Sequence, residues 1–216
     1  MKKIASPLFQ DLSEAELDTL AAAGHLRTRQ FAKHEVIFRA GSCVREIGIV
    51  LRGSVHIENL DLWGTKSILS SAGAGQAFAE TYAFCGEALM VDAVAAEHCE
   101  ILFLHTAAFT DARIEPTLQD KLLRRLLAVS MRKNLSLSQR IFCTTPKTVR
   151  GRLLTYFSAQ AARCGRMEFE VPFNRQQMAD YLNLDRSALS KELCKMRDEG
   201  LLEFDKNRFV LKQLPE

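Results

Sequence analysis

Long apolar runs are missing from this sequence. No uninterrupted hydrophobic stretch approaches the ~18–20 residues that span a bilayer, so neither a membrane helix nor a membrane partner is expected. Met1–Pro7 carries two lysines with no apolar core behind them, which argues against a secretory leader. Close-spaced cysteines are missing too. Cys43, Cys85, Cys99, Cys143, Cys164 and Cys194 are scattered, which argues against a disulfide framework or a tight iron–sulfur cluster and reads as reduced thiols of a cytoplasmic protein. His25, His34, His56, His98 and His105 form no His-x-His pair. With no Ser/His/Asp arrangement and no nucleotide-hydrolysis motif, no enzyme is expected and no metal residues are nominated. Prolines are few, 5 in all, so Pro116, Pro146 and Pro172 carry weight as punctuation.

What is present is ordinary in bulk and uneven in charge. Apolar content is 47% and charged content 25% of 216 residues, room for two modest domains. Residues 1–112 hold 9 Lys+Arg against 14 Asp+Glu, a net of −5; residues 113–143 hold 7 against 2, or +5; residues 144–216 hold 13 against 10, or +3. An acidic front and a basic rear suggest that only the rear meets a polyanion.

Phe9–Ala23 reads as an amphipathic helix, with Ser13 and Glu16 as a capping box, Leu17 and Leu20 inward and Gly24 as the stop. Short alternating runs follow at Glu35–Phe38, Glu46–Leu51, Ser54–Asn59, Thr65–Leu69, Val91–Ala95 and Glu100–Leu104, separated by glycines. Strands about every ten residues with Gly turns indicate a compact barrel or roll. Arg113–Ile141 is a long helix with Pro116 in its first turn. Leu123, Leu127, Ser130, Asn134, Leu137 and Ile141 repeat at heptad-like spacing, beside a second stripe of Leu118, Leu122, Leu126 and Val129. One stripe can pack on the roll and the other on a second copy, with Asn134 setting register; burial within a monomer is the alternative. Phe142–Pro146 is the expected hinge.

The most specific stretch is Phe173–Gly200. A helix over Arg175–Tyr181, a turn at Asn183, the N-cap Asp185 and a second helix from Arg186 to about Glu199 make a helix-turn-helix. Ala179 sits where the helices cross, and Leu189, Leu193 and Met196 form the buried stripe. Arg186, Ser187, Ser190, Lys191 and Lys195 are left facing outward. Leu201–Phe204 and Arg208–Leu211 alternate around a turn at Asp205–Asn207, a β-hairpin that makes the motif winged. A helix over Lys147–Cys164 precedes it, and Val171-Pro172 is an extended bridge.

The stretches FNRQQMADYLNLDRSALSKEL and RDEGLL resemble the DNA-binding domain of the CRP/FNR family of bacterial transcription regulators. Val36–Gly41 and Ile49–Val55 resemble that family's cyclic-nucleotide-binding β-roll. The resemblance implies an α+β chain in three parts: a double-stranded β-roll that senses an effector (1–112), a dimerisation helix (113–143) marked by Leu123, Leu127, Ser130, Asn134 and Leu137, and a winged helix-turn-helix (144–216). It implies a cytoplasmic homodimer on a palindromic operator in double-stranded DNA, with RNA polymerase as a partner if the protein activates. It also implies Arg175 and Gln176 on phosphates, Arg186, Ser187 and Lys191 on base edges beside Ser190, and Lys206 and Arg208 in the wing on phosphates. Many family members have Glu where this chain has Ser187, so a different operator is expected.

The effector site departs from the pattern. Gly75–Glu80 matches the start of the family's phosphate cassette, with Glu80 at the ribose-binding position and Ala79 in place of a Gly. The cassette's Arg-Ser pair falls at Leu89-Met90, and neither side chain can hold a phosphate. Cyclic AMP is therefore not expected to bind. Phe78, Tyr82, Phe84, Leu89 and Met90 either line an apolar pocket for an uncharged ligand or are core that has closed it. The signal could be a small molecule, a redox change or a gas. No cofactor is predicted; haem at Cys85 or the adjacent His98-Cys99 is the open alternative. The other readings are a metal- or haem-binding sensor or β-roll protein whose winged helix contacts protein, and a metal-dependent β-roll enzyme.

Overall fold

The computed structural model describes residues 4–60 and 66–212. Its contacts separate into two compact units, Met1–Arg132 and Lys133–Glu216. The divide falls inside the long helix, where the sequence reading drew three segments.

The first unit is a two-sheet roll. Its strands are β1 (Leu26–Phe31), β2 (Val36–Phe38), β3 (Glu46–Arg52), β4 (Ser54–Leu60), β5 (Lys66–Gly73), β6 (Ala77–Phe78), β7 (Asp92–Ala95) and β8 (Cys99–His105). They form two antiparallel sheets, β1-β8-β3-β6 and β2-β7-β4-β5. The middle strand β8 is buried on both sides because its side chains alternate between two cores. Ile101 and Phe103 point between the sheets, towards Phe31, Phe38, Val50, Val55 and Phe78. Leu102 and Leu104 point the other way, towards helix α1 (Glu14–Ala22) and the stripe Leu118, Leu122 and Leu126. Gly48 permits a close approach: a Cβ there would lie 2.2 Å from the Phe78 ring.

Several boundaries differ from the sequence reading. Phe9 ends a 3-10 turn (Pro7–Phe9), and α1 starts only after Ser13, whose capping box with Glu16 is formed. The sequence reading had no strands at β1 and β6. The expected strand Thr65–Leu69 is β5, with Thr65 outside the described residues. Tyr82 and Phe84, to which the sequence reading gave no element, lie in a short helix, α2 (Glu80–Cys85). The long helix is α3 (Pro116–Thr144), so the expected hinge starts too early. The backbone ladder runs on through Phe142 and Cys143, with the Thr145 N–H still reaching the Ile141 carbonyl at 2.9 Å, and the Thr144 and Thr145 hydroxyls bond back to the carbonyls of Arg140 and Ile141.

The second unit holds the end of α3, α4 (Val149–Cys164), β9 (Glu168–Glu170), α5 (Arg175–Leu182), α6 (Arg186–Asp198), β10 (Leu202–Asp205) and β11 (Arg208–Leu211). The three strands form one antiparallel sheet in the order β10-β11-β9, so the wing has one more strand than the expected hairpin. The core is aromatic: Tyr156, Phe157, Phe169 and Phe209 are fully buried with Met178, Ala179, Leu182, Leu189 and Met196. The Phe157 and Phe209 rings lie 4.6 Å apart, and Tyr156 packs edge-on to Tyr181 at 5.6 Å.

The Tyr156 hydroxyl is buried and makes no hydrogen bond among the described residues. An unpaired buried hydroxyl costs on the order of 1–3 kcal/mol. Tyr156→Phe is therefore expected to stabilise the protein by about 1 kcal/mol in urea unfolding, with the slope unchanged. A clear loss of stability would show that the hydroxyl has a partner.

Candidate nucleic-acid interface

Local chemistry builds the helix pair. Asn174 caps α5 by accepting from the Gln177 N–H, while the Gln177 side chain accepts from the Asn174 N–H, both at 2.9 Å. Asn183 closes α5 in the left-handed region at φ 52°, the conformation a tight helix–helix turn needs. The Asp185 carboxylate then caps α6, accepting from the N–H groups of Ser187 and Ala188 and from the Ser187 hydroxyl. Those donors, led by the Ser187 hydroxyl, hold the Asp185 carboxyl below its ordinary value.

The apolar face of α6 is locked: Leu189, Leu193 and Met196 are buried. Arg150 on α4 holds the acidic side of α6, donating to Glu192 at 2.6 Å and to Glu199 at 2.8 Å. That guanidinium holds the Glu199 carboxyl below its ordinary value. With two of its acids turned to Arg150, the outward stripe of α6 is left cationic. Arg186 and Lys191 are exposed and make no hydrogen bond or ion pair among the described residues. Ser190 is half-buried and Lys195 exposed on the same helix.

These bonds set a pH dependence. The folded carboxyls of Asp185 and Glu199 titrate below their unfolded values, so their contribution is complete above the unfolded range of about 4 and is lost as pH falls through the folded values. Amide protection along α6, taken relative to the intrinsic exchange rate at each pH, is expected to fall between about pH 5 and 3, and less so in Asp185→Asn, which has already lost the titrating group. Protection that rises on acidification would contradict this.

The other nominated residues divide. Gln176 is exposed but donates to Asp180 Oδ1 at 2.9 Å. Arg208 is exposed and paired with Glu168. Lys206 is exposed at the tip of the wing, in left-handed backbone at φ 50°, with no ion pair among the described residues. Arg175 is half-buried; its guanidinium lies 4.9 Å from the Phe204 ring centre and 5.0 Å from that of Phe209, a cation–π seat. Burial lowers its pKa from the ordinary arginine value. Asn174, Arg175, Lys206 and Asn207 together line a groove of about 470 Å³ between the start of α5 and the wing, with Pro172 and Phe173 as its apolar wall.

Sequence reasoning missed two arginines. Arg140 donates to the carbonyls of Tyr181 and Asp180, at 3.1 and 3.0 Å. Arg152 donates to those of Leu182 and Asn183, at 3.1 and 2.7 Å. The last carbonyls of α5 and its turn are thus satisfied from other helices, the Asp180 carbonyl accepting from the Asn183 N–H at 3.3 Å as well. No local pattern marks either residue.

The nominated effector residues do not converge. Gly75 is in left-handed backbone at φ 82°, where a Cβ would meet the Ala5 carbonyl oxygen at 2.4 Å. Phe78 and Leu89 belong to the core between the sheets, Tyr82 packs partly against it, and Glu80 is buried. Phe84 and Met90 are 50% and 78% exposed, and Phe84 packs on Phe109 instead. Of the two alternatives, a pocket or a closed core, Phe78, Leu89 and in part Tyr82 are packed as core, whereas Phe84 and Met90 point elsewhere, because helix α2 and the turn after it send these side chains in different directions. Ala79, at the family's Gly position, is held at φ 61°.

Comparison with known proteins agrees with both halves. The family model described as cyclic nucleotide-binding domain matches residues 28–113, and the Crp-like helix-turn-helix domain model matches residues 151–216. The fold is similar to that of FixK2 from Bradyrhizobium japonicum, at 19% identity and TM-score 0.52 over 87% of this chain and 93% of that one. It is similar to the Catabolite Activator Protein of Thermus thermophilus, at 25% identity and TM-score 0.50 over 96% and 94%. An OCPA-complexed CprK variant gives 13% identity and TM-score 0.63 over 94% and 91%. No curated protein matches. With a cyclic-nucleotide-binding-type roll in front and a Crp-like reading domain behind, the chain belongs to the CRP/FNR family of DNA-binding transcription regulators.

Proposed function

We propose that the protein acts as a cytoplasmic homodimer that reads a two-fold-symmetric operator in double-stranded DNA, and that its roll answers to a signal other than a cyclic nucleotide. The observation that carries the reading is the outward pair Arg186 and Lys191, unpaired among the described residues, on a capped helix whose opposite face is buried. A recognition helix uses its N-terminal turns on base edges, and an arginine there can fork onto a guanine. The Ser187 hydroxyl donates to Asp185, which leaves its oxygen to accept from a base amino group. The groove that Lys206 and Arg175 flank offers two cations for a backbone phosphate in this reading.

Support for the dimer comes from α3. Leu123, Leu127, Leu137 and Ile141 are 47%, 57%, 61% and 65% exposed, while their neighbours Leu118, Leu122 and Leu126 are buried. Asn134 and Ser130 lie in the same repeat, and the Asn134 side chain accepts from the Ser138 hydroxyl at 3.2 Å. An apolar stripe of heptad spacing left in water asks for a second helix. If the protein activates transcription, RNA polymerase is the further partner.

Duplex affinity measured by fluorescence anisotropy tests the reading. Steep weakening between about 50 and 200 mM salt is expected, with a preference for one sequence over random duplex. Flat, sequence-blind binding would favour a winged helix that contacts protein.

The signal is argued from chemistry. A cyclic phosphate needs backbone donors and a guanidinium, and the pair's positions hold a buried Leu89 and an exposed Met90. Titration calorimetry with cyclic AMP and cyclic GMP is expected to show no binding at micromolar concentrations. Micromolar affinity for either would overturn this part.

A further inference from the structure

We infer that Arg140 is a positioning residue through which α3 sets the placement of the DNA-reading helix; this rests on the dimer reading above. The end of α5 and the turn after it determine where α6 starts. Their backbone is closed from within: the Leu184 N–H reaches the Ala179 carbonyl at 2.9 Å, and Asn183 bends in left-handed conformation. It is held from outside by two guanidiniums. Arg152 comes from α4, within the reading domain's own core, and a third bond ties it to the Pro146 carbonyl at 2.8 Å. Arg140 comes from α3, and its guanidinium also lies 5.9 Å from the Tyr181 ring centre. A planar fork of donors is suited to two successive carbonyls in a way a lysine is not.

The place of Arg140 on α3 gives the contact its meaning. Leu137 and Ile141, members of the exposed heptad stripe, lie within one turn of it. Cys143, three residues on, is buried in the core of the reading domain. The same two turns of helix thus carry the face offered to a second copy, the fork on the carbonyls of α5 and an anchor in the core. A helix pair formed along Leu137 and Ile141 therefore imposes its geometry on the end of α5, and through the turn on α6. Two reading helices held this way meet DNA at one separation.

The test uses the full-length protein and duplexes with two identical inverted half-sites whose centre-to-centre distance varies in single base pairs. The wild type is expected to favour one spacing by about tenfold or more. Arg140→Gln is expected to flatten that preference to within about threefold while the base preference within each half-site is unchanged. Arg140→Lys keeps a cation at the carbonyls without the fork and is expected to flatten it too, which covers the case in which Arg140→Gln does not fold. Both variants keeping the wild-type spacing preference would overturn the inference. So would an equal loss of affinity at every spacing with a lowered unfolding midpoint, the signature of a merely structural residue. A wild type with no spacing preference would overturn the dimer reading itself, and this inference with it.

Discussion

Replacing Leu123, Leu127 and Leu137 together with glutamate is expected to leave each chain folded, to give a monomer in sedimentation equilibrium, and to weaken binding to a two-half-site operator by about 10²–10⁴-fold. Folding should survive because all three side chains are about half exposed or more in the single chain, so little buried area is lost. The oligomer should not survive, because a heptad seam that brings like charges together loses both its apolar contact and its register. The affinity loss follows from linkage: the second half-site is bound at the effective concentration set by the first, and a monomer has no such partner. A triple variant that remains dimeric would contradict the placement of the seam on α3. A monomer that holds the operator as tightly as the wild type would remove the dimer from the reading altogether.

Arg186→Ala has the second-largest expected effect. Arg186 is the first residue of α6, exposed and unpaired among the described residues, and its helix is capped by Asp185 independently of the guanidinium. Its removal should therefore cost DNA affinity and no stability. A guanidinium forked onto a guanine is worth about 1–3 kcal/mol of discrimination, roughly 5- to 150-fold in affinity for the preferred operator. The variant should also lose its preference at that base position, unlike Lys206→Ala, which should weaken binding to all sequences alike and lower the salt slope by about 1. A shift assay in which Arg186→Ala keeps both affinity and base preference would take Arg186 out of the reading role. Equal losses on all sequences would make it a phosphate contact instead.

The two halves of the molecule differ in how much could be read from sequence, for physical reasons. The helix-turn-helix is specified locally. The cap at Asp185, the turn residue Asn183 and the stripe Leu189, Leu193 and Met196 each act within a few residues, and each is found in that role; the Asn174 cap is equally local but was not read. The wing hairpin was legible for the same reason, but its third strand β9 was not, because Glu-Phe-Glu becomes a strand only by pairing with β11 some forty residues later. Strand β1 was hidden by its charges: Arg27 and Arg29 turn outward, pair with Glu46 and Glu35, and lie over Phe103 and Phe31. The arginine clamp on α5 was illegible because it joins residues thirty to forty positions apart through backbone carbonyls, which carry no side-chain signature. The effector residues were ambiguous for a related reason. Apolar character alone fits a pocket lining or a closed core and does not tell where each side chain goes; a helix turns successive side chains by about 100°, so Phe84 faces solvent while Ala83 is buried.

The measurement closest to the central claim is selection of bound duplexes from a random pool by the full-length protein, repeated with Arg186→Ala. The account predicts enrichment of one inverted repeat with half-site centres about one helical turn apart, and loss of preference at a single symmetric position in the variant. A pool that stays random, or an enriched sequence unchanged by the substitution, would contradict it.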